Sequence, residues 1–308
     1  MEESWAVHHV AIGVKNLQTM RSFYQDVLEF NKVFAETEHK EHKHMREVLR
    51  MPNTMHSMIM FNQEAAGIFV ELIRMTNPAP RPIRRDFRYG DIGVTKTTIA
   101  VSDVEQLGRE LEGRVNFFSK PKSVEIPGWG DYHFLYCRDP EGNLIELASG
   151  KNLSVLSKFG GVRWIGVSVT DLQRSVSFYQ KHLGFDTIVI ESHERFSGLV
   201  DEVSGANQTK VRSCLLASSR GDGMIELLEV FEPRGRSIPF STSWGDFGYL
   251  QVCLHCDDIR ERAAYCEKEG MEFLCGIQLV HDKYGGGFFY FRDPDGIPIE
   301  FLAFNQEA

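Results

Sequence analysis

The feature that most constrains the fold of this 308-residue chain is an internal repeat. Three pairs of segments are related by one offset of 155 positions: Ser22–Gln25 with Ser177–Gln180, Val70–Leu72 with Ile225–Leu227, and Tyr89–Asp91 with Trp244–Asp246. The segment Arg138–Gly142 also recurs as Arg292–Gly296, with a spacing shorter by one residue. Such self-similarity predicts a structural unit of about 150 residues that has been duplicated. The boundary falls in a largely polar stretch between Ser149 and Gly161.

Each half divides again into a strand, a helix and three further strands. In the first quarter, Val10–Val14 alternates as a strand, residues 17–28 have helical periodicity, and residues 33–34, 57–61 and 67–73 are typical of strands. The pattern predicts four modules, at 5–76, 94–150, 162–232 and 248–306. They form an N-terminal domain over residues 1–150 and a C-terminal domain over residues 161–306.

The first strand of each module has one apolar face and one unusual face. In the first module Val10, Ile12 and Val14 are predicted to be buried, while His9 shares the opposite face with Ala11 and Gly13. One imidazole among very small side chains suits the wall of a cavity. The neighbouring His8 falls on the apolar face, which favours a structural role.

The composition excludes several classes of function. A net charge of −9 argues against nucleic acid as a partner, because phosphate binding requires a basic surface. No apolar run is long enough to cross a membrane, and no leader is visible, so we expect a cytoplasmic protein whose six cysteines remain thiols.

Cys253 and Cys256 have the spacing of a metal or redox motif. Residues three apart on a strand point to opposite faces, which favours packing instead.

Three motifs resemble a known family. His9–Val14 reads His-Val-Ala-Ile-Gly-Val, Phe23–Leu28 reads Phe-Tyr-x-x-Val-Leu, and Asp139–Leu147 reads Asp-Pro-Glu-Gly-Asn-Leu-Ile-Glu-Leu. Together they resemble the vicinal oxygen chelate superfamily, which includes glyoxalase I, epimerases, extradiol dioxygenases and metal-free bleomycin-binding proteins. The resemblance implies an α+β fold of four βαβββ modules in two tandem domains, with mixed and antiparallel sheets curled into cups. It also implies one divalent metal ion, held by residues of first and last strands.

Carried onto this sequence, the resemblance gives eight candidate positions: His9, Lys96, Trp164 and Gln251 on first strands, and Glu71, Glu146, Glu226 and Glu300 on last strands. If each half closes on itself, His9 and Glu71 meet Lys96 and Glu146. If the first module pairs with the fourth, the set becomes His9, Glu71, Gln251 and Glu300, and every member can offer a lone pair to a cation. We favour this second pairing, which leaves a degenerate cup with Lys96, Glu146, Trp164 and Glu226.

The preferred ligand set favours proton transfer over oxygen chemistry. One imidazole, one amide and two carboxylates around Zn, Ni, Co, Mn or Fe(II) suit a glyoxalase, epimerase or isomerase, in which the metal polarises a carbonyl and stabilises an enediolate. Resemblance makes Glu300 the expected base, with Glu71 as the other candidate. An extradiol Fe(II) dioxygenase is the alternative, but it requires a histidine where Gln251 stands. A metal-free small-molecule binding protein is the third reading.

The sequence says less about the substrate, which we expect to be a small carbonyl or aromatic molecule. The basic loop Arg81–Arg88 either clamps a carboxylate or phosphate of an anionic substrate or is a solvated linker. Aromatic and histidine positions before the last strands keep the dioxygenase alternative open: Trp129, Tyr132, His133, His281 and Tyr284. His39, His42 and His44 lie among charges, which indicates a solvated loop over the cup. The sequence is also compatible with a homodimer.

Overall fold

The computed structural model describes residues 6–41, 45–46, 53–63, 67–153, 155–280 and 286–304. The strands of the first half are β1 (Val7–Gly13), β2 (Lys32–Glu41), β3 (Met55–Asn62), β4 (Phe69–Asn77), β5 (Gly93–Val101), β6 (Asn116–Phe117), β7 (Lys122–Ile126), β8 (Gly130–Arg138) and β9 (Leu144–Gly150). Those of the second half are β10 (Phe159–Ser168), β11 (Thr187–Ser192), β12 (Lys210–Ser218), β13 (Gly221–Glu232), β14 (Gly248–His255), β15 (Phe273–Val280), β16 (Gly286–Arg292) and β17 (Pro298–Ala303). The helices are α1 (Leu17–Ser22), α2 (Val104–Glu110), α3 (Leu172–Leu183), α4 (Asp201–Ser204) and α5 (Ile259–Lys268).

The strands form two sheets, and each sheet takes strands from both halves of the chain. One sheet has the order β15-β16-β17-β14-β1-β4-β3-β2, and the other has β11-β12-β13-β10-β5-β9-β8-β6 with β7 beside β8. The first and fourth modules therefore share a sheet, here called the 1–4 cup, and the second and third share the 2–3 cup. This order confirms the favoured module pairing and excludes the alternative in which each half closes on itself.

The same local signal starts a helix in every module. Asn16, Asp103, Asp171 and Asp258 each occupy the N-cap of α1, α2, α3 and α5, and each side chain accepts a hydrogen bond from a backbone N–H of the first turn. These helices pack against a hydrophobic core that includes residues of all four first strands: Val10, Ile99, Ile165 and Val252.

A β-bulge interrupts the pairing of each first strand. Between β1 and β14, Val7 pairs with Leu254 and His9 with Cys253, so His8 is an extra residue. Leu250 is the extra residue on β14, since Ala11 pairs with Gln251 and Ile12 with Tyr249. In the 2–3 cup the extra residues are Thr95 and Arg163, which precede Lys96 and Trp164. A bulge therefore comes directly before each position that the resemblance assigns to a ligand.

Several local predictions need correction. Residues 38–41 belong to β2, so the expected loop over the cup is wrong there, and His39 is exposed on a strand. His42, His44, His281 and Tyr284 lie outside the described residues. The predicted first helix is α1 followed by a π-helical turn at Phe23–Val27. None of the described helices is long and apolar enough to span a membrane.

Candidate metal centre

The structure brings His9, Glu71, Gln251 and Glu300 together on the concave face of the 1–4 cup. His9 Nε2 lies 3.4 Å from Glu71 Oε2 and 3.3 Å from Glu300 Oε2. The Gln251 amide donates to Glu300 Oε2 at 2.7 Å. All four residues are buried, and the most exposed of them, Glu71, is 7% exposed.

Strand register explains why residues so distant in sequence meet. The four adjacent strands β4, β1, β14 and β17 each supply one of the side chains. Ala11 on β1 pairs with Glu71 on one side and with Gln251 on the other, and its methyl group leaves room between them. On β14, Cys253 pairs with His9 and with Glu300.

The sequence suggested that Gly13 is small because it lines a cavity with His9, but the structure gives another reason. A Cβ at this position would lie 1.9 Å from the backbone carbonyl oxygen of Asp246. Glycine is therefore required by the close approach of a loop. Of the two small residues on this face, only Ala11 borders the space between the candidate ligands.

The electrostatics of the cluster call for a cation. Two carboxylates are buried beside one imidazole, and buried carboxylates need a compensating charge. Burial acts to lower the pKa of His9, but Cys253, Glu300 and Glu71 outweigh it and raise that pKa well above its ordinary value. The cluster thus binds a proton tightly in the absence of another cation.

The distances also fit a metal ion. Two ligand atoms at about 2.1 Å from one cation are about 3.0 to 3.4 Å apart in octahedral or tetrahedral arrangements. The His9–Glu71 and His9–Glu300 separations of 3.4 and 3.3 Å match that spacing. Among the described residues, the buried His9 Nε2 has these two carboxylate oxygens as its polar neighbours but forms no well-aligned hydrogen bond. Gln251 presents a nitrogen to Glu300, and a turn of its terminal amide presents the oxygen instead.

Strand alternation predicted that His8 lies on the apolar face, away from His9, and the structure shows instead that the two rings are in contact. Because His8 is the extra residue of the β1 bulge, its Nδ1 lies 2.9 Å from Nδ1 of His9. Its ring also stacks on Phe69, with centroids 5.2 Å apart. Burial, together with His9 and His255, lowers the pKa of His8 well below its ordinary value, so the ring is neutral at pH 7. A neutral His8 can accept the Nδ1–H of His9.

Cys253 and Tyr290 also belong to the site, although sequence reasoning did not select them. Ligand atoms of His8, His9 and Cys253 lie within 4.8 Å of one another. The Gln251 amide donates to the Tyr290 hydroxyl at 3.1 Å, and Tyr290 pairs with Glu300 across β16 and β17. One signal for Tyr290 was available in the sequence. It lies in an aromatic strand, β16, which pairs with the strand that contains Ile299–Phe301. Cys256, in contrast, lies in the hydrophobic core, as the predicted opposite facing of the two cysteines requires.

In the 2–3 cup a lysine ammonium group takes the central position. Lys96 Nζ contacts the Glu146 carboxylate directly and lies 2.8 Å from Glu226 Oε2. Burial opposes the charge, but Glu146 and Glu226 raise the pKa of Lys96 far above its usual value. The cavity beside them holds about 20 Å³, and Trp164 lies in its wall. This cup carries its own cation, which matches the predicted degenerate set.

The remaining predicted residues lie away from His9. Trp129 and Tyr132 belong to the 2–3 cup, where Tyr132 stacks on Trp164 with centroids 6.2 Å apart. His133 Nδ1 lies 2.6 Å from Ser123 Oγ on the neighbouring strand. In the basic loop, Arg84 donates to the carbonyl oxygens of Ile92, Arg236 and Ser237, so this guanidinium group holds two loops together.

These features define a protein of two cups built from four βαβββ modules, with a buried cluster of one imidazole, two carboxylates and one amide in the 1–4 cup. The family model of the Glyoxalase/Bleomycin resistance protein/Dioxygenase superfamily matches the chain twice, over residues 6–147 and 161–301. The chain belongs to this superfamily, and the resemblance seen in the sequence is confirmed.

Solved structures agree on the fold. Glyoxalase I from Zea mays aligns with a TM-score of 0.65 at 17% identity, over 96% of this chain and 92% of that protein. A putative dioxygenase from Bacillus subtilis aligns with a TM-score of 0.60 at 15% identity, over 99% of this chain and 87% of that protein. These TM-scores show a shared fold. At identities this low the reaction has to be inferred from the residues of the site. No curated protein matches the sequence.

Proposed function

We propose that this protein is a metal-dependent enzyme that moves a proton on the carbon next to a substrate carbonyl, as a glyoxalase, epimerase or isomerase does. The observation that carries the proposal is the convergence of one imidazole, two carboxylates and one amide in a buried cup. His9, Glu71, Gln251 and Glu300 would hold one divalent cation. When bound, that cation would polarise the carbonyl and stabilise negative charge on its oxygen.

A cavity with room for a small substrate lies next to the cluster, and Gln251 is the candidate ligand that borders it. A cavity of about 330 Å³ reaches Gln251 and Tyr290 from the surface, and Trp244 and Leu250 lie in its wall. Its volume is that of a compact ligand pocket. Trp244 also packs against His56, with ring centroids 5.3 Å apart, and closes the cup on the side of the first module.

A carboxylate can perform the proton transfer without any change in oxidation state. One oxygen of Glu300 would accept the proton from the substrate carbon, and the same carboxyl group would return it to the adjacent carbon or to the opposite face. The amide of Gln251 donates to Glu300 and to Tyr290, and a turn of this amide that brings its oxygen to a cation would free Glu300 from the hydrogen bond. Glu71 lies on the other side of His9 and is the second candidate base.

The ligand set can be tested by metal analysis of protein purified without added metal. We expect about one equivalent of Zn, Ni, Co or Mn, and we expect the Gln251→Ala and His9→Ala variants to lose most of it, since each removes a donor. His133→Ala is the matched control in the 2–3 cup, where His133 contacts Ser123 and none of the candidate ligands, and it should keep the wild-type metal content. Full occupancy and full activity in Gln251→Ala would contradict the ligand set.

The reaction class has its own test. With a 2-oxoaldehyde hemithioacetal or an α-chiral thioester, proton transfer predicts solvent deuterium incorporation at the reacting carbon, abolished in Glu300→Gln. Consumption of O₂ with a catechol or hydroquinone would show an Fe(II) dioxygenase and overturn the proposal. Protein with no metal that still binds small molecules would establish the binding-protein alternative.

A further inference from the structure

A second cavity lies between the two cups, away from the candidate metal centre. It holds about 260 Å³ and is bordered by the first residues of β5, β9, β14 and β17, so all of its walls come from strand ends and loops. Part of the basic loop, from Pro82 to Phe87, forms one side. None of the four candidate metal ligands borders it.

Three cations border this cavity and form no ion pair among the described residues: Lys15, Arg85 and Arg138. Lys15 and Arg85 are exposed and stand at the rim. The Arg138 guanidinium group lies over Phe118, 3.7 Å from the ring centroid, and its Nε is buried without an acceptor. A buried donor without an acceptor is costly and is satisfied by a ligand that brings one.

The carboxylates of the cavity are already committed elsewhere. Glu141 accepts from the backbone N–H groups of Lys15 and Asn16 at 2.8 to 2.9 Å. Asp91 accepts from the Arg236 guanidinium group at 2.8 and 2.6 Å. Burial acts to raise the pKa of Asp91, but Arg236 and its other donors hold it below the usual range. Backbone donors leave the charge of Glu141 in place, so the three cations outnumber the one unpaired carboxylate and the cavity is net positive, in a chain whose net charge is −9.

The rest of the wall is apolar. Phe87, Ile92, Ile238, Phe247 and Ile297 border the cavity beside the cations. A free inorganic ion would leave these surfaces in contact with water, whereas a ligand with an apolar body would cover them. The volume of about 260 Å³ is slightly below the range of about 300 to 1,000 Å³ that is typical of small-molecule sites, which favours a small ligand.

We propose that this inter-cup cavity is a binding site for a small organic anion, with one carboxylate or phosphate head group on a short aromatic or aliphatic body. Lys15, Arg85 and Arg138 would bind the head group, and the apolar side chains would cover the body. The site does not depend on the chemistry of the metal centre. It borders the substrate cavity of the 1–4 cup through Leu250, the bulge residue before Gln251.

Calorimetric titration of the full chain tests this site with benzoate, phenyl phosphate, inorganic phosphate and benzyl alcohol. We expect saturable binding of benzoate, phenyl phosphate or both, and the stronger of the two identifies the head group. Inorganic phosphate lacks the body and benzyl alcohol lacks the charge, so each should bind at least about tenfold more weakly. Binding should also weaken in high salt, because two of the cations are exposed.

Variants locate the binding. Replacing both rim cations, Lys15→Gln with Arg85→Gln, should weaken the organic anion about tenfold, and Ile238→Trp should block the cavity. Arg88→Gln is the matched control, because Arg88 is exposed in the same loop but does not border the cavity. Its affinity should stay at the wild-type value.

Two results would overturn the proposal. One is the absence of saturable binding of either organic anion at millimolar concentration. The other is binding that survives both the rim double variant and Ile238→Trp but is lost in Glu300→Gln, which would place the anion in the 1–4 cup. Neither result bears on the proposed proton transfer, since that reaction is measured at the metal centre.

Discussion

The contact between His8 and His9 bears on which nitrogen of His9 carries the ring hydrogen. A histidine that offers the Nε2 lone pair to a cation carries its hydrogen on Nδ1, and that N–H needs an acceptor. Here the acceptor is Nδ1 of His8, at 2.9 Å. His8 is thus a positioning residue that acts through the tautomer of His9.

Replacing His8 by phenylalanine should separate this role from packing. The ring of His8→Phe can still stack on Phe69, but it no longer accepts from His9, so we expect metal affinity to fall by about 10- to 100-fold. Competition with a chromophoric chelator measures this. His133→Phe changes a ring of β8 that contacts Ser123 in the 2–3 cup, and it should keep the wild-type affinity. Unchanged affinity in His8→Phe would refute the assignment.

The sequence predicts a site residue where the internal repeat marks its position on a strand. It predicts less where the register between distant strands decides which side chains meet. The repeat marks Glu71 and Glu300, because each has a glutamate at the equivalent position of the other half, so both could be proposed as candidate ligands before the structure. His8 could not, because alternation places neighbours on opposite faces and only pairing with β14 creates the bulge. The contact of Cys253 with His9 depends on the same distant pairing.

At the scale of elements, a repeated turn leads into each last strand of the second and fourth modules. In this turn Asp139 Oδ1 accepts from the backbone N–H groups of Glu141 and Asn143, and Asp293 Oδ1 accepts from those of Asp295 and Ile297. Each aspartate stands seven positions before the glutamate of its last strand. Burial raises the pKa of Asp139 to about 6 and that of Asp293 to about 7.

A raised carboxyl pKa makes the folded state hold a proton that the unfolded state releases. The contribution of Asp293 to stability is therefore complete below about pH 4 and is lost as pH rises to about 7, by an amount on the order of a few kcal/mol. The Asp293→Asn substitution keeps an oxygen acceptor for the backbone amides and removes the ionisation, so it should flatten this decline. Urea unfolding at pH 5 and pH 8 measures how far the free energy of unfolding declines. Equal declines in the wild type and in Asp293→Asn would contradict the prediction.

The length of β2 shows why an element boundary was missed. Residues 38–41 are mostly charged, which is typical of a loop. In the structure they extend β2, and β2 is the edge strand of the 1–4 cup. Charged side chains are tolerated on an edge, where one side faces water and where they oppose pairing with other chains.

At the scale of the whole molecule, neither half of the chain contains a complete cup. The junctions β1–β14 and β5–β10 each join one half to the other. Residues 1–154 alone would expose two unpaired strand edges, which favour aggregation.

We therefore expect residues 1–154 and 155–308, expressed separately, to bind no metal and to aggregate. Co-expressed, the two halves should assemble into a complex with about one equivalent of metal. Size-exclusion chromatography with metal analysis measures both. Metal binding by residues 1–154 alone at the affinity of the full chain would contradict the 1–4 pairing as the basis of the site.

The bulges before Lys96 and Trp164 make the 2–3 cup a scaffold for protein engineering. The backbone there already presents two side chains toward Glu146 and Glu226, as the 1–4 cup presents His9 and Gln251. Combining Lys96→His with Trp164→Gln would repeat the donor types of the first centre and remove the built-in ammonium. The redesigned chain should bind one equivalent of metal more than the natural chain, measurable by titration. In this view the duplicated cup differs from a second set of donor types by two substitutions.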